Sequence, residues 1–139
     1  MVAYVPTERN TEIVIHLSKF RLELKRRIAP NEWHTIKKYW IAPGAVGTPT
    51  PKGSYEVHAK SATPDWADSY GVVHKYGSKG NPLYGGFISI FPERGIGIHG
   101  TTFPALVGRR ASHGCIRMTK RGIRDIYDRV PIGTRVYVR

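Results

Sequence analysis

The 139-residue chain has one cysteine and two methionines, and its 10 acidic residues are outnumbered by 22 lysines and arginines. A single cysteine excludes an internal disulfide, so folding does not depend on a bridge, although this assigns no redox compartment. No stretch approaches the roughly 18 consecutive apolar residues of a membrane-spanning helix. The opening "MVAYVPTERNTE" has neither the basic start nor the apolar run of an export signal. Internal repeats, a linker, a basic tail and a nucleic-acid-binding motif are all missing, so nucleic acid is not an expected partner.

The charge imbalance amounts to a formal +12. Such a surface favours polyanions, among them anionic wall polymers. The cations are scattered, with short clusters at Lys25-Arg26-Arg27, Lys37-Lys38 and Arg109-Arg110. A dedicated polyanion site and a merely basic surface both remain open at this level.

With 40% hydrophobic residues and three tryptophans, the composition is that of a globular protein, and the length suits one domain over residues 1–139. "EIVIHL" (12–17) alternates with Ile13, Ile15 and Leu17 on one side, and "FRLEL" (20–24) repeats the period with Phe20, Leu22 and Leu24. The Ser18-Lys19 pair between them predicts a hairpin turn. Further strands are expected at 35–42, 55–59, 85–91, 95–100 and 134–139, the third and fourth of these pairing. The Gly- and Pro-rich 44–54 segment reads as a loop. Residues 60–84, with Trp66, Tyr70, Tyr76 and Tyr84, read either as a binding loop or as an aromatic satellite core, and Tyr84 is a candidate substrate contact. One helix is expected after Thr119, carrying Ile123, Ile126, Tyr127 and Val130 at helical spacing and stopped by Pro131 and Gly133. The predicted fold is mainly β with one helix.

Cys115 lies in "ASHGCIRM" (111–118) and could be a core thiol, a metal ligand or a nucleophile. Gly114 permits close backbone approach, and His113 and Arg117 bring cationic groups. A following helix would add N–H groups that favour a thiolate. Of the six histidines, His99 stands out because it ends "GIGIH" and precedes Gly100, whose carbonyl could fix the imidazole tautomer. H-x-C at 113–115 with a distant His99 matches no common structural zinc spacing, so no metal or other cofactor is expected.

"GIGIHGT" followed by "SHGCIRM" resembles the catalytic domain of L,D-transpeptidases, the YkuD family. "GTPTPKGSYEV" (47–57), the N-terminal hairpin and "IYDRVPIGTRVYV" are similar to that family as well, leaving 60–84 without a match. The resemblance implies a β-sandwich of mixed sheets. It implies Cys115 as nucleophile, His99 as proton carrier and the Gly100 carbonyl as its holder. Gly114 and Cys115 N–H groups would line an oxyanion hole, with His113 in support, Ser112 bracing the loop and Arg117 facing a substrate carboxylate. The implied reaction is peptidoglycan cross-linking: a tetrapeptide stem acylates the cysteine, D-alanine leaves, and an acceptor amine completes a 3→3 link. Hydrolysis at the same site, and a non-catalytic basic binding domain, are the competing readings. The implied location is the bacterial cell envelope, with any export signal absent from this chain.

Overall fold

Two mixed β-sheets face each other across one apolar core in the computed structural model, which describes residues 6–110, 112 and 114–139. The first sheet is built from β1 (Thr11–His16), β2 (Arg21–Ala29), β3 (Glu32–Trp40), β4 (Gly53–Glu56) and β11 (Arg135–Val138). Its order is β3-β2-β1-β11-β4, with β1 and β11 parallel and the remaining pairs antiparallel. The register sets Ile13 beside Leu24 and Val136, and Ile15 beside Leu22 and Val138, so the alternating residues of three strands form one buried row.

The second sheet holds β5 (Ala59–Ser61), β8 (Leu83–Phe91), β9 (Ile96–Thr101) and β10 (Ile116–Met118), in the order β10-β9-β8-β5. β8 and β9 pair antiparallel as expected, while β10 joins β9 in parallel. A small hairpin of β6 (Trp66–Ala67) and β7 (Val73–His74) stands apart. The mainly-β prediction holds, as does the mixing of strand directions that the resemblance implied.

The helix α1 (Lys120–Arg129) starts where Thr119 Oγ1 accepts the Gly122 N–H at 3.0 Å. Ile123 and Ile126 are fully buried from it, and Val130 just beyond its end is buried too. Ile123 fits because β8 and β9 present glycines to it. A Cβ on either Gly85 or Gly100 would come within 2.8 Å of the Ile123 Cγ2 methyl.

Three local expectations need correction. Phe20 does not face inward as a strand residue. It caps a 3-10 turn over Leu17–Lys19 in the left-handed region at φ 53°, and only Leu22 and Leu24 are core. The 55–59 stretch is two strands: Val57 N–H bonds Thr134 O and His58 N–H bonds Ser89 O, so the chain crosses from one sheet to the other at that point. The 60–84 segment is not featureless, since it contains part of β5, the β6–β7 hairpin and the start of β8.

Truncating Ile123 to Ala should cost about 2–5 kcal/mol, the range for deleting a buried branched side chain. Thr119→Ala should cost about 1 kcal/mol through loss of the cap. Urea titrations of both variants check this ordering; equal losses would mean that the cap carries as much as the helix–sheet seam.

Candidate active site

Strand register builds the site. In the second sheet, Phe87 of β8 pairs with His99 of β9, and His99 pairs with Arg117 of β10. Residues directly opposed in a sheet share a face, so the three side chains form one row. Gly97 lies two residues earlier on this face of β9, and Cys115 lies just ahead of β10, in the bend that leads into it. This row opens into a cleft of about 530 Å³, lined by His99, Cys115 and Arg117, with apolar walls from Trp66, Leu83, Phe87, Phe103 and Leu106. Arg94 adds a second guanidinium at its edge, and no carboxylate side chain lines it among the described residues.

His99 is buried, and its ring lies nearly parallel to Phe87, 12° between planes at 6.0 Å. Its Nδ1–H donates to the Gly100 carbonyl at 2.7 Å, which leaves the Nε2 lone pair available. Gly100 has no room for a side chain, because a Cβ would fall inside the Tyr84 carbonyl oxygen. Burial drives the His99 pKa down to about 4; the Gly100 bond opposes this and the Arg117 charge reinforces it. The imidazole is therefore neutral near pH 7.

Cys115 is half-buried, and its Sγ–H points to Gly95 O at 3.5 Å. Burial raises the thiol pKa above its usual value, partly offset by the Gly97 amide and by Arg117. This corrects the expectation of a thiolate favoured by a nearby helix. The extended strand β10 separates Cys115 from the cap Thr119, so the helix terminus lies about 13 Å along the chain at strand rise. Arg117 is the cation within electrostatic reach of both groups, favouring thiolate on one and neutral imidazole on the other.

The loop that carries Cys115 is tied down by Ser112 and by two threonines that the sequence reading did not assign. Thr48 Oγ1 donates to Ser112 O at 2.9 Å, and Thr50 Oγ1 donates to Gly114 O at 2.7 Å. Thr50 Oγ1 in turn accepts the Gly44 N–H at 2.9 Å. Ser112 Oγ donates to Cys115 O and accepts the Gly114 N–H, the latter at 3.1 Å. Ser112 thus braces the loop. Its hydroxyl also occupies the Gly114 N–H, so that group is not an open oxyanion donor, contrary to expectation. Gly114 is needed instead for its φ of 124°, which side chains rarely tolerate. His113 lies outside the described residues.

Tyr84 does not line the cleft. Its hydroxyl accepts from Lys120 Nζ at 2.9 Å, and the ammonium lies 4.4 Å from its ring, on the helix side of β8. Trp66 is the aromatic residue of the 60–84 segment that reaches the cleft. The hairpin bearing it is fixed by buried Asn81, whose Nδ2 donates to Pro64 O and His74 O and whose Oδ1 accepts from Leu83 N–H. The alternation of threonine with proline at 48–51 was a usable signal for the loop brace. The cleft-facing role of Trp66 left no signal in local sequence.

Two outcomes follow from these contacts. Because the His99 pKa falls from 6.5 to about 4 on folding, the unfolded chain binds the extra proton between those values. The stability tied to neutral His99 is complete above pH 6.5 and drains away as pH falls toward 4, on the order of 3 kcal/mol in all. Urea midpoints across this window should flatten in His99→Gln; an unchanged slope would place the titration elsewhere. Thr50→Val conserves volume but orphans Gly114 O and Gly44 N–H, and should cost about 1–3 kcal/mol. A neutral result in the same titration would mean that the brace is dispensable.

Comparison with known proteins agrees with this geometry. The family model described as "L,D-transpeptidase catalytic domain" (YkuD) matches residues 10–138. The chain is 30% identical over 139 aligned residues to an Escherichia coli protein named "Probable L,D-transpeptidase ErfK/SrfK", covering 91% of this chain and 43% of that protein. It therefore spans less than half the length of that relative. A crystal structure of an L,D-transpeptidase from Mycobacterium tuberculosis superposes with a TM-score of 0.72 at 25% identity, over 94% of this chain and 57% of that one. An L,D-transpeptidase solved in complex with imipenem shares the fold at a TM-score of 0.73 and 18% identity, over 94% of this chain and 59% of that one. With the family model matching almost end to end and the strand topology shared, the chain belongs to the L,D-transpeptidase catalytic-domain family.

Proposed function

We propose that the chain is a cysteine-dependent acyltransferase that cross-links peptidoglycan tetrapeptide stems in the bacterial cell envelope. The observation that carries this reading is His99, with Nδ1 committed to Gly100 O and a neutral Nε2, in one cleft with the Cys115 thiol.

The thiol and imidazole are both neutral at rest, since burial raises one pKa and lowers the other. Proton transfer from Sγ–H to Nε2 therefore accompanies attack rather than preceding it as a stable ion pair. Sγ adds to the carbonyl carbon joining the third and fourth stem residues, and the carbonyl π electrons move onto oxygen. The Cys115 N–H is the backbone donor nearest the new bond for that oxyanion, because the Gly114 N–H already serves Ser112. Collapse breaks the C–N bond as His99 returns its proton to the departing amine of D-alanine. The acyl-thioester remains. An acceptor amine from a second stem then attacks, His99 takes its proton, and the thiol is regenerated with a 3→3 amide formed. Arg117 and Arg94 suit the carboxylates that a stem carries.

The walls of Trp66, Phe87, Phe103 and Leu106 limit water around the thioester and so favour the amine over hydrolysis. That preference is the difference between a transpeptidase and a carboxypeptidase on the same residues.

Incubation with purified tetrapeptide muropeptides should yield cross-linked dimers one D-alanine lighter than the sum of two stems, and Cys115→Ala should yield none. Dimers formed by Cys115→Ala would end the covalent reading, whereas tripeptide alone would mark a hydrolase. The acid limb of the acylation rate should fall near pH 4, where His99 protonates, rather than near 6.5. The related enzyme solved with imipenem supports a matching probe. One carbapenem mass should add per chain on Cys115, more slowly in Arg117→Ala. A chain that stays unmodified while its thiol remains alkylatable would count against the acyl site.

A further inference from the structure

Several of the chain's cations line a path that runs from the cleft along the edge strand β3. The path begins on the loop that supplies Leu106 to the cleft wall. On that loop Arg110 stacks its guanidinium over Phe20 at 5.6 Å, and Gly108 N–H bonds Ile41 O at 2.9 Å. Ile41 N–H bonds Phe20 O at 3.0 Å, so the loop is tied to the ends of β2 and β3. Next comes the cross-strand pair Arg21 and Trp40, the indole 63% exposed. Arg21, Trp40, Tyr39 and Lys38 border a depression of about 230 Å³. Lys38 and Tyr39 are shared with a second groove of about 480 Å³, which continues past Lys37 to Arg121 on α1.

Three carboxylates lie on or beside this edge and each is already engaged, Glu32 at the start of β3 with His34 at 3.0 Å. Asp125 accepts from the Tyr39 hydroxyl and from Arg129 Nε, and Glu23 pairs with His16 at 3.2 Å and Lys25 at 4.0 Å. Lys37, Lys38, Arg110 and Arg121 form no ion pair among the described residues. Cations on both faces of the β3 edge, Lys38 on the Trp40 side and Lys37 on the α1 side, with one open indole at its end, are complementary to a linear polymer with regularly spaced anions and sugar rings.

We infer that the β3 edge is a docking track for wall glycan bearing free stem carboxylates, delivering neighbouring stems to the cleft. The inference rests on the proposed activity for the identity of the polymer. Single-stranded nucleic acid is a poorer fit, because stacking successive bases needs a series of aromatic platforms, and the track offers one free indole. Duplex nucleic acid is the competing polyanion, and its competition with sacculi is one outcome of the test. The track is separate from the reacting atoms, so docking and chemistry can be separated by mutation.

The test is co-sedimentation of the whole chain with purified sacculi, run beside turnover of a small soluble tetrapeptide stem. A fourfold variant carrying Arg21→Gln, Lys37→Gln, Lys38→Gln and Arg121→Gln should bind sacculi at least about tenfold more weakly at low salt, with a shallower salt dependence. Its turnover of the soluble stem should stay within about twofold of the parent, which also shows that it folds. Trp40→Ala alone should weaken sedimentation a few-fold. Sacculi whose carboxylates are blocked by carbodiimide coupling to glycinamide should hold the parent no better than the fourfold variant. Undiminished sedimentation of the variant, or of the parent on blocked sacculi, would overturn the track. So would duplex DNA displacing sacculi through these same four residues. A parent that turns over no stem yet sediments through the four residues would leave the track standing and sink the proposed reaction instead.

Discussion

The hydrogen bond from His99 Nδ1 to the carbonyl of the next residue is the constraint around which the second sheet is arranged. It requires the 100–101 peptide to turn its oxygen back toward the imidazole, and Gly100 to lie flat against the neighbouring chain. The Tyr84 carbonyl and the Ile123 methyl occupy the space that a side chain at 100 would need. Helix packing and base orientation are thus one requirement. The same methyl needs Gly85 on the adjacent strand. A fully buried isoleucine of α1 therefore takes part in fixing the tautomer of His99.

The electrostatics of the cleft run against the common picture of a cysteine kept as thiolate. Desolvation raises the thiol and lowers the imidazole, and each shift opposes formation of the ion pair. Arg117 acts in opposite directions on the two residues in terms of reactivity: it eases thiol ionisation and resists imidazolium formation. A carboxylate brought in by substrate would screen that guanidinium and relieve the penalty on His99⁺ as attack begins. The protonation states of Cys115 and His99 are thus linked through one charge. A neutral, half-buried thiol is also less prone to oxidation, which follows thiolate character and exposure.

Elements with many residues in one period were legible before any coordinates. Ile13 and Ile15, Leu22 and Leu24, Val136 and Val138, and the helix from its Thr119 cap through Ile126 all read correctly because burial of one face repeats at fixed spacing. β10 was missed because three residues between a loop and a helix cannot establish a period, even though Ile116 and Met118 are fully buried. Val57 and His58 misled for a different reason: the alternation continues through them while their amides bond to different sheets. In the cleft, Cys115 and His99 could be singled out by residue type and position. Their pKa directions could not, since both are decided by burial from strands far away in sequence. Tyr84 failed as a substrate contact because its partner, Lys120, sits 36 positions later.

The Thr-Pro-Thr-Pro segment shows how an irregular loop can be as rigid as a strand. Pro49 and Pro51 each fix a backbone angle and remove an N–H that would otherwise need a partner inside the fold. The residues before them are pushed toward extended geometry, which directs the Thr48 and Thr50 hydroxyls outward from the segment. Those hydroxyls meet Ser112 O and Gly114 O, the carbonyls on either side of position 113. Farther along, the Tyr55 hydroxyl donates to Pro51 O at 2.8 Å and anchors the segment to β4. The loop that carries Cys115, which contains a glycine at positive φ, thereby borrows stiffness from a stretch whose own conformational entropy is already low. With Ala42 and Pro43 also bonded to Arg117 and Ser112, the 42–50 stretch covers the outer side of this loop and holds Sγ at a fixed place in the cleft that His99 lines.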